Sequence, residues 1–311
     1  RRFGMFMRVI KDLFFFLMWY PFRVMIAFLP LSVVDAIGRM GGLILYSISK
    51  EKRGMMTEEL RRSLPNPDPA SIRRIVKASF ANYALSEMEV LLYPTLNPTI
   101  IQKRVSFQGR EYLEEALSEG KGVLLFQAHF GAFQMVMPVI GYHGYIMNQI
   151  SASAAVWKER MNSDIQKKVL DIKASYEQKL PVRHISVQES LRPVFRALQR
   201  NEIVGITVDG GTGKKNRIIR FLGRWANFAQ GPVDLALRTG APIVPAFILT
   251  GKRLTHTVRL HPPLVVDPAL DKNESIRRIL QQFARLLERY VFEYPEHYGY
   301  TLYFRRANVP I

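Results

Sequence analysis

Residues 122–134, GVLLFQAHFGAFQ, decide how this chain reads. Val123, Leu124, Leu125 and Phe126 form an unbroken apolar run behind a glycine. A run so short, bounded by turn signals, marks a strand buried on both faces, as parallel sheets require. His129 follows it and therefore emerges at the strand's carboxyl end, where open α/β sheets hold their ligands. Two more runs share this texture, 203–208 (IVGITV) and 243–249 (IVPAFIL). Helical stretches at 111–117, 157–180, 190–199 and 232–239 flank them. The alternation predicts the α/β class, a sheet covered by helices.

Outward from that core, 51–64 reads as a charged helix that stops at Pro65-Asn66-Pro67-Asp68-Pro69. An amphipathic helix over 71–93 carries Ile72, Ile75, Val76, Phe80, Tyr83 and Leu85 on its apolar side, and another over 275–290 carries Ile276, Ile279, Leu280, Phe283, Leu286 and Leu287. The chain divides into apolar N-terminal helices (1–50), an accessory helical layer (51–104) and the α/β core (105–311). No internal repeat or low-complexity linker interrupts it.

The N-terminus points to a membrane. Residues 13–20 (LFFFLMWY) are wholly apolar or aromatic, the run resumes at 24–31, and Arg1, Arg2, Arg8 and Lys11 precede it. A spanning helix needs about 20 mostly apolar residues, a length reached here only by including Arg23, Pro21 and Pro30. No small-residue cleavage site follows, and 35–49 stays apolar and helix-like. The expectation is one or two helices within 3–46 that lie in or dip into a bilayer. A buried hairpin packed on the core is the competing reading.

The 311 residues hold 44 Lys and Arg against 26 Asp and Glu, a net charge of +18, and no cysteine. Disulfide scaffolds, thiolate metal sites and cysteine nucleophiles are excluded. The six histidines, at 129, 143, 184, 256, 261 and 297, include no HExxH-type pair, so no metal and no cofactor are expected. GxSxG and P-loop patterns are absent; the glycines and lysines of 210–215 lack the required spacing. The positive excess calls for an anionic partner. Nucleic acid is not expected, because no helix-turn-helix, zinc-finger or RNP pattern accompanies the charge.

The segment 122–134, followed by Val208-Asp209-Gly210, Arg220-Phe221-Leu222-Gly223-Arg224, Gln230-Gly231-Pro232, 239–245 (TGAPIVP) and Tyr294-Pro295-Glu296-His297-Tyr298, resembles the lipid A late acyltransferase (lauroyl/myristoyl) family of the lysophospholipid acyltransferases. It is similar as well to the phosphatidylinositol mannoside acyltransferases. Each motif alone is weak; their order and spacing over nearly the whole chain are specific. The resemblance implies a glycerolipid-acyltransferase-like mixed sheet with membrane-associated N-terminal helices. It implies transfer of a fatty acyl chain from acyl carrier protein or a CoA thioester to a hydroxyl, or alternatively an amine, of a lipid A-like glycolipid or phospholipid, at an anionic membrane on the cytoplasmic face of a bacterial inner membrane.

An alcohol is a poor nucleophile near neutral pH, so a neutral imidazole must take its proton as it attacks. The resemblance assigns that role to His129. The family motif places Asp or Glu five positions after the histidine; here that position is Gln134, which orients through a hydrogen bond but brings no negative charge. Three readings stay open: another carboxylate substitutes, the enzyme is slow or uses a different acceptor, or the chain is a catalytically impaired homologue that binds lipid or scaffolds. Asp209, at the end of the next apolar strand, is the best-placed spare carboxylate. Lys214, Lys215, Arg217, Arg220 and Arg224 suit phosphates of the donor or acceptor, or form a solvated basic loop. Gly131, Phe130 and Phe133, next to His129 in the sequence, are candidate substrate-binding residues. With Met135 and Met137 the two phenylalanines form an acyl groove wall or, alternatively, ordinary core.

Overall fold

The computed structural model describes residues 9, 12–159, 161–186, 188, 190–210 and 215–305. Among them the strands are β1 (Val105–Gln108), β2 (Val123–Gln127), β3 (Met147–Ser151), β4 (Val182–Ser186), β5 (Ile203–Thr207), β6 (Asn216–Phe221), β7 (Arg224–Ala229), β8 (Ile243–Thr250) and β9 (His256–Leu260). Seven of them form one sheet in the order β1-β9-β8-β2-β5-β3-β4, and β6 pairs with β7 as a separate ribbon. All neighbours in the large sheet are parallel except β8 and β9. The α/β class expected from the runs is what the chain adopts.

β2 is the middle strand and is buried at all five positions. Its side chains alternate between two cores, as the period of two demands. Leu124 and Phe126 join Val204, Phe247 and Phe283 on one face, while Val123 and Leu125 join Ile203, Val244 and Ile140 on the other. Burying each such side chain contributes roughly 1.5–3 kcal/mol. The helix Lys272–Glu293 covers the first face, and Arg110–Ser118 and Val136–Tyr142 help cover the second.

The structure differs from the sequence reading at several elements: β1, β6, β7 and β9 are strands outside the apolar runs, and three further differences have a local cause. The stretch 157–180 is not one helix: Ala154–Glu159 and Asp164–Glu177 are separate, because Ser163 caps the second by accepting from the Gln166 amide at 3.4 Å. β3 (MNQIS) escapes an apolar-run rule since it buries Asn148 and Gln149. Asn148 is satisfied by Glu202 Oε2 at 2.9 Å and the Ile203 carbonyl at 3.1 Å, and Gln127 donates to Gln149 at 3.3 Å. The edge strand β4 alternates too weakly to be read.

At the N-terminus a helix over 12–17 passes through a π-helical turn, Met18–Phe22, into Arg23–Ile26, and a second helix, Leu31–Ile48, follows. Pro21 lies inside the π turn, since its missing N–H breaks the regular ladder. Trp19 is buried beside Tyr176 with Lys173 over its ring, and Arg23 Nη1 donates to the Tyr176 hydroxyl at 3.0 Å. Leu31–Ile48 packs along Pro69–Leu91. Gly38 meets Leu85 and Gly42 meets Ala81, so the two helices run antiparallel. The basic residues Arg1, Arg2, Arg8 and Lys11 lie outside the described residues.

Candidate active site

The register of the sheet builds the site. Gln127 of β2 stands opposite Thr207 of β5, so the residues two further along each strand, His129 and Asp209, arrive at the same level. From here the chain leaves β2 toward β3 on one flank, and leaves β5 toward β8 on the other. The helix Val136–Tyr142 that follows β2 packs in one core, and the helix Gly231–Thr239 that follows β5 packs in the other. The two connections therefore leave on opposite faces of the sheet, the arrangement in which such sheets bind ligands at their strand ends.

Asp209 Oδ1 lies 2.8 Å from His129 Nδ1, and the His129 amide is 3.1 Å from both carboxylate oxygens. The Tyr298 hydroxyl donates to Oδ2 at 2.8 Å. Asp209 is fully buried, and these donors satisfy a group that would otherwise be costly to hold away from water. A carboxylate accepts only, so Nδ1 carries the proton and Nε2 is the basic nitrogen. The His129 side chain remains 40% exposed, so its far edge reaches solvent. The Phe133 ring stands edge-on to the imidazole at 4.8 Å, and Thr301 Oγ1 donates to the His129 carbonyl at 2.6 Å. A buried carboxylate and an oriented imidazole with a solvent-exposed edge suit proton abstraction from a hydroxyl.

Comparison with known proteins agrees in kind. The family described as bacterial lipid A biosynthesis acyltransferase matches residues 6–303. The chain belongs to this family. A lipid A biosynthesis acyltransferase of Haemophilus influenzae is 20% identical over 292 residues, 92% of this chain and 86% of the relative. A phosphatidylinositol mannoside acyltransferase of Mycobacterium tuberculosis is 24% identical over 200 residues, 60% of each chain. Membership makes the protein an acyltransferase, with an acyl donor and a lipid acceptor.

Within this acyltransferase the residue at the motif's acidic position faces elsewhere. Gln134 Oε1 accepts from Ser86 Oγ at 3.5 Å, and its carbonyl accepts from the Tyr93 hydroxyl at 2.9 Å. Asp209 is the group hydrogen-bonded to the imidazole.

The turn at Gly131 has φ +59°, and a Cβ there would meet the Ile248 carbonyl oxygen at 2.2 Å. Its amide donates to the His297 carbonyl at 3.0 Å, so glycine is required by the backbone path. Thr250 N donates to His297 Nε2 at 3.0 Å, which leaves the proton of the neutral ring on Nδ1, facing Glu296. Burial opposes ionisation of Glu296, yet His297 beside it brings the carboxyl below its ordinary value. Phe130 is fully buried among Phe247, Tyr290, His297 and Tyr298, a core position; Met135 and Met137 are buried as well. Phe133 is the aromatic beside the imidazole.

The basic set is scattered. Lys214 lies outside the described residues, and Lys215 is exposed. Arg217 donates to Asn273 at 2.9 Å, and Arg220 stacks on Trp225 at 5.3 Å. Arg224 is engaged by Glu59 at 2.8 Å and Ser63 at 3.3 Å, which ties the ribbon to the helix Lys50–Ser63. Ser86 and Thr301 were not foreseen, for no local pattern marks a hydroxyl that meets its partner across the fold. Tyr298 lay within a recognised motif, without a role.

Proposed function

We propose that this acyltransferase moves a fatty acyl chain from an acyl carrier protein or CoA thioester to a hydroxyl of a membrane glycolipid or phospholipid, one resembling lipid A. The observation that carries the reading is the His129–Asp209 contact at the carboxyl ends of adjacent strands. His129 Nε2 takes the proton of the acceptor hydroxyl as its oxygen attacks the thioester carbonyl. The C–O bond forms, the C–S bond breaks, and the imidazolium returns the proton to the leaving thiolate. Asp209 fixes the Nδ1–H tautomer and stabilises the imidazolium as it develops.

The test is transfer of a labelled acyl chain, from each donor type in turn, onto bacterial membrane lipids. His129→Ala, folded by circular dichroism, should lose about a hundredfold to ten-thousandfold in rate. Transfer at the parent rate in that variant would overturn the reading.

The same proposal puts the protein on the cytoplasmic face of a bacterial inner membrane. Leu13, Phe14, Leu17, Val24, Met25 and Phe28 are exposed, as are Met40, Ile44 and Ile48 on the next helix. Leu31–Ile48 is long and apolar enough to cross a bilayer, yet only 17% of it is buried. Its inner face is held along Pro69–Leu91, and Asp35 pairs with Arg39 at 2.8 Å midway. A helix bound lengthwise to the body of the protein, with an ion pair in its middle, favours lying in the interface over spanning it. Basic residues favour the anionic cytoplasmic leaflet.

A second reading, an impaired homologue that binds lipid, draws on Gln134 alone. Asp209 in contact with His129 supports the active form.

A further inference from the structure

Tyr298 enters the site from a part of the chain with no strand in the sheet. The turn Pro295–His297 delivers it, and the helix Gly299–Arg305 that follows delivers Thr301. Its ring is fully buried, 5.9 Å from that of Phe221 and 6.4 Å from that of Phe130, and its hydroxyl lies 2.8 Å from Asp209 Oδ2. A tyrosine so enclosed meets a partner for its hydroxyl or loses stability. Here the partner is the carboxylate oxygen that does not face the imidazole.

Resting on the His129–Asp209 reading, we propose that Tyr298 is the positioning residue for that pair, holding Asp209 so that Oδ1 faces His129 and setting how strongly it pulls on the imidazole. Donation to Oδ2 restrains rotation of the carboxylate about its Cβ–Cγ bond. It also draws electron density from the carboxylate and weakens the attraction it exerts on an imidazolium. Tyr298 touches neither acceptor nor donor in this scheme; it acts through Asp209.

The ionisable groups that the described contacts bring together are His129 from the end of β2, Asp209 from the end of β5 and Tyr298 from the C-terminal turn. Phe133, from the turn Phe133–Met135, adds a ring edge, and Thr301 adds a hydroxyl to the His129 carbonyl. The sign of the effect follows. Without the phenol, Asp209 holds a protonated His129 more tightly, so the base is lost at a higher pH. A stronger phenolic donor does the opposite.

The experiment compares the parent with Tyr298→Phe and with a fluorinated tyrosine incorporated at 298, measuring kcat and KM for the donor across pH. Tyr298→Phe keeps the ring that packs on Phe130 and Phe221. It should lower kcat by about tenfold with KM within twofold, and move the acidic limb of the kcat/KM profile up by about half a unit. The fluorinated residue keeps ring and hydroxyl and should move that limb down, which preserves the test even if Tyr298→Phe fails to fold.

In an Asp209→Asn background the phenylalanine substitution should have no further effect, since the residue it acts through has lost its charge. The proposal is overturned if the acidic limb stays in place in both variants, or if Tyr298→Phe costs as much in the Asp209→Asn background as alone. A folded His129→Ala variant with parent activity would instead overturn the reading beneath it.

Discussion

Gly42 of the apolar helix lies so close to the next helix that a Cβ added there would stand 2.5 Å from the Ala81 Cα. This contact joins the apolar N-terminal helices to the helix whose aromatic neighbours lead toward His129. Phe80, beside Ala81, meets the Tyr300 ring edge-on at 5.6 Å, and Thr301, beside Tyr300, donates to the His129 carbonyl. Tyr83 stacks on Tyr300 at 4.0 Å within the same contact. Burial, with Tyr303 and Glu87 nearby, pushes the Tyr300 phenol up to about 12, so it stays neutral at working pH.

Gly42→Leu should therefore destabilise the protein by about 1–3 kcal/mol, because backbone rather than a flexible side chain must give way. Gly41 meets nothing within 4 Å, and Gly41→Ala should stabilise its helix by up to about 1 kcal/mol. Thermal unfolding of the two variants in one detergent checks both signs.

Gln134→Glu should leave turnover within about threefold of the parent, for its side chain meets Ser86 while Asp209 already serves the imidazole. Asp209→Asn should cost up to about ten-thousandfold, by analogy with loss of the triad carboxylate. A tenfold gain in Gln134→Glu would return the acid to position 134.

Phe14 and Phe28 are 55% and 84% exposed on the apolar face. Inserting such a ring into a bilayer contributes roughly 1.5–3 kcal/mol. Changing both to Asp should weaken cosedimentation with anionic vesicles by at least about tenfold, whereas Val265→Asp, 71% exposed near the other end of the chain, should not. Equal binding by all three proteins would remove this face from the membrane.

Lys215 is exposed and Arg220 lies on the outward side of the β6–β7 ribbon. If an acidic carrier protein docks there, replacing both with Ala should raise KM for that donor severalfold at low salt. The difference should shrink as salt brings the Debye length to about 8 Å. A KM unmoved at every salt concentration places the donor elsewhere.

Glu202 should make the fold respond to acid. Arg200 at 2.7 Å leads in holding its carboxyl down to about 2; burial opposes this, and Asn148 and Arg183 assist. A carboxyl whose folded value lies below its unfolded one stabilises the fold above the unfolded value, and that contribution disappears as pH falls through the folded one. Glu202→Gln should lower the unfolding midpoint at pH 7 and flatten the parent's loss between about pH 4.5 and pH 2. Unfolding curves that stay parallel throughout that window would remove Glu202 from the acid response.

The sequence by itself determined those local elements whose pattern is carried by neighbouring residues. Period and punctuation mark the β2, β5 and β8 runs, the amphipathic helices and the apolar N-terminus, because each depends on side chains a few positions apart. They place His129 and Asp209 at strand ends for the same reason. β3 was hidden because its polar residues find partners on β5 and at Glu202, far along the chain.

Only the tertiary structure decided which carboxylate meets the imidazole. Motif spacing offered Gln134, five residues away, but the backbone turns its side chain toward Ser86. Parallel pairing of β2 with β5 in the register Gln127 to Thr207 brings Asp209 within 2.8 Å across 80 residues of chain. Strand order and register arise from packing both faces of the sheet at once, a global balance of burial that no short window of sequence contains. The placement of Tyr298 beneath Asp209 has the same origin, since it requires the last helix and the central strands to be in place together.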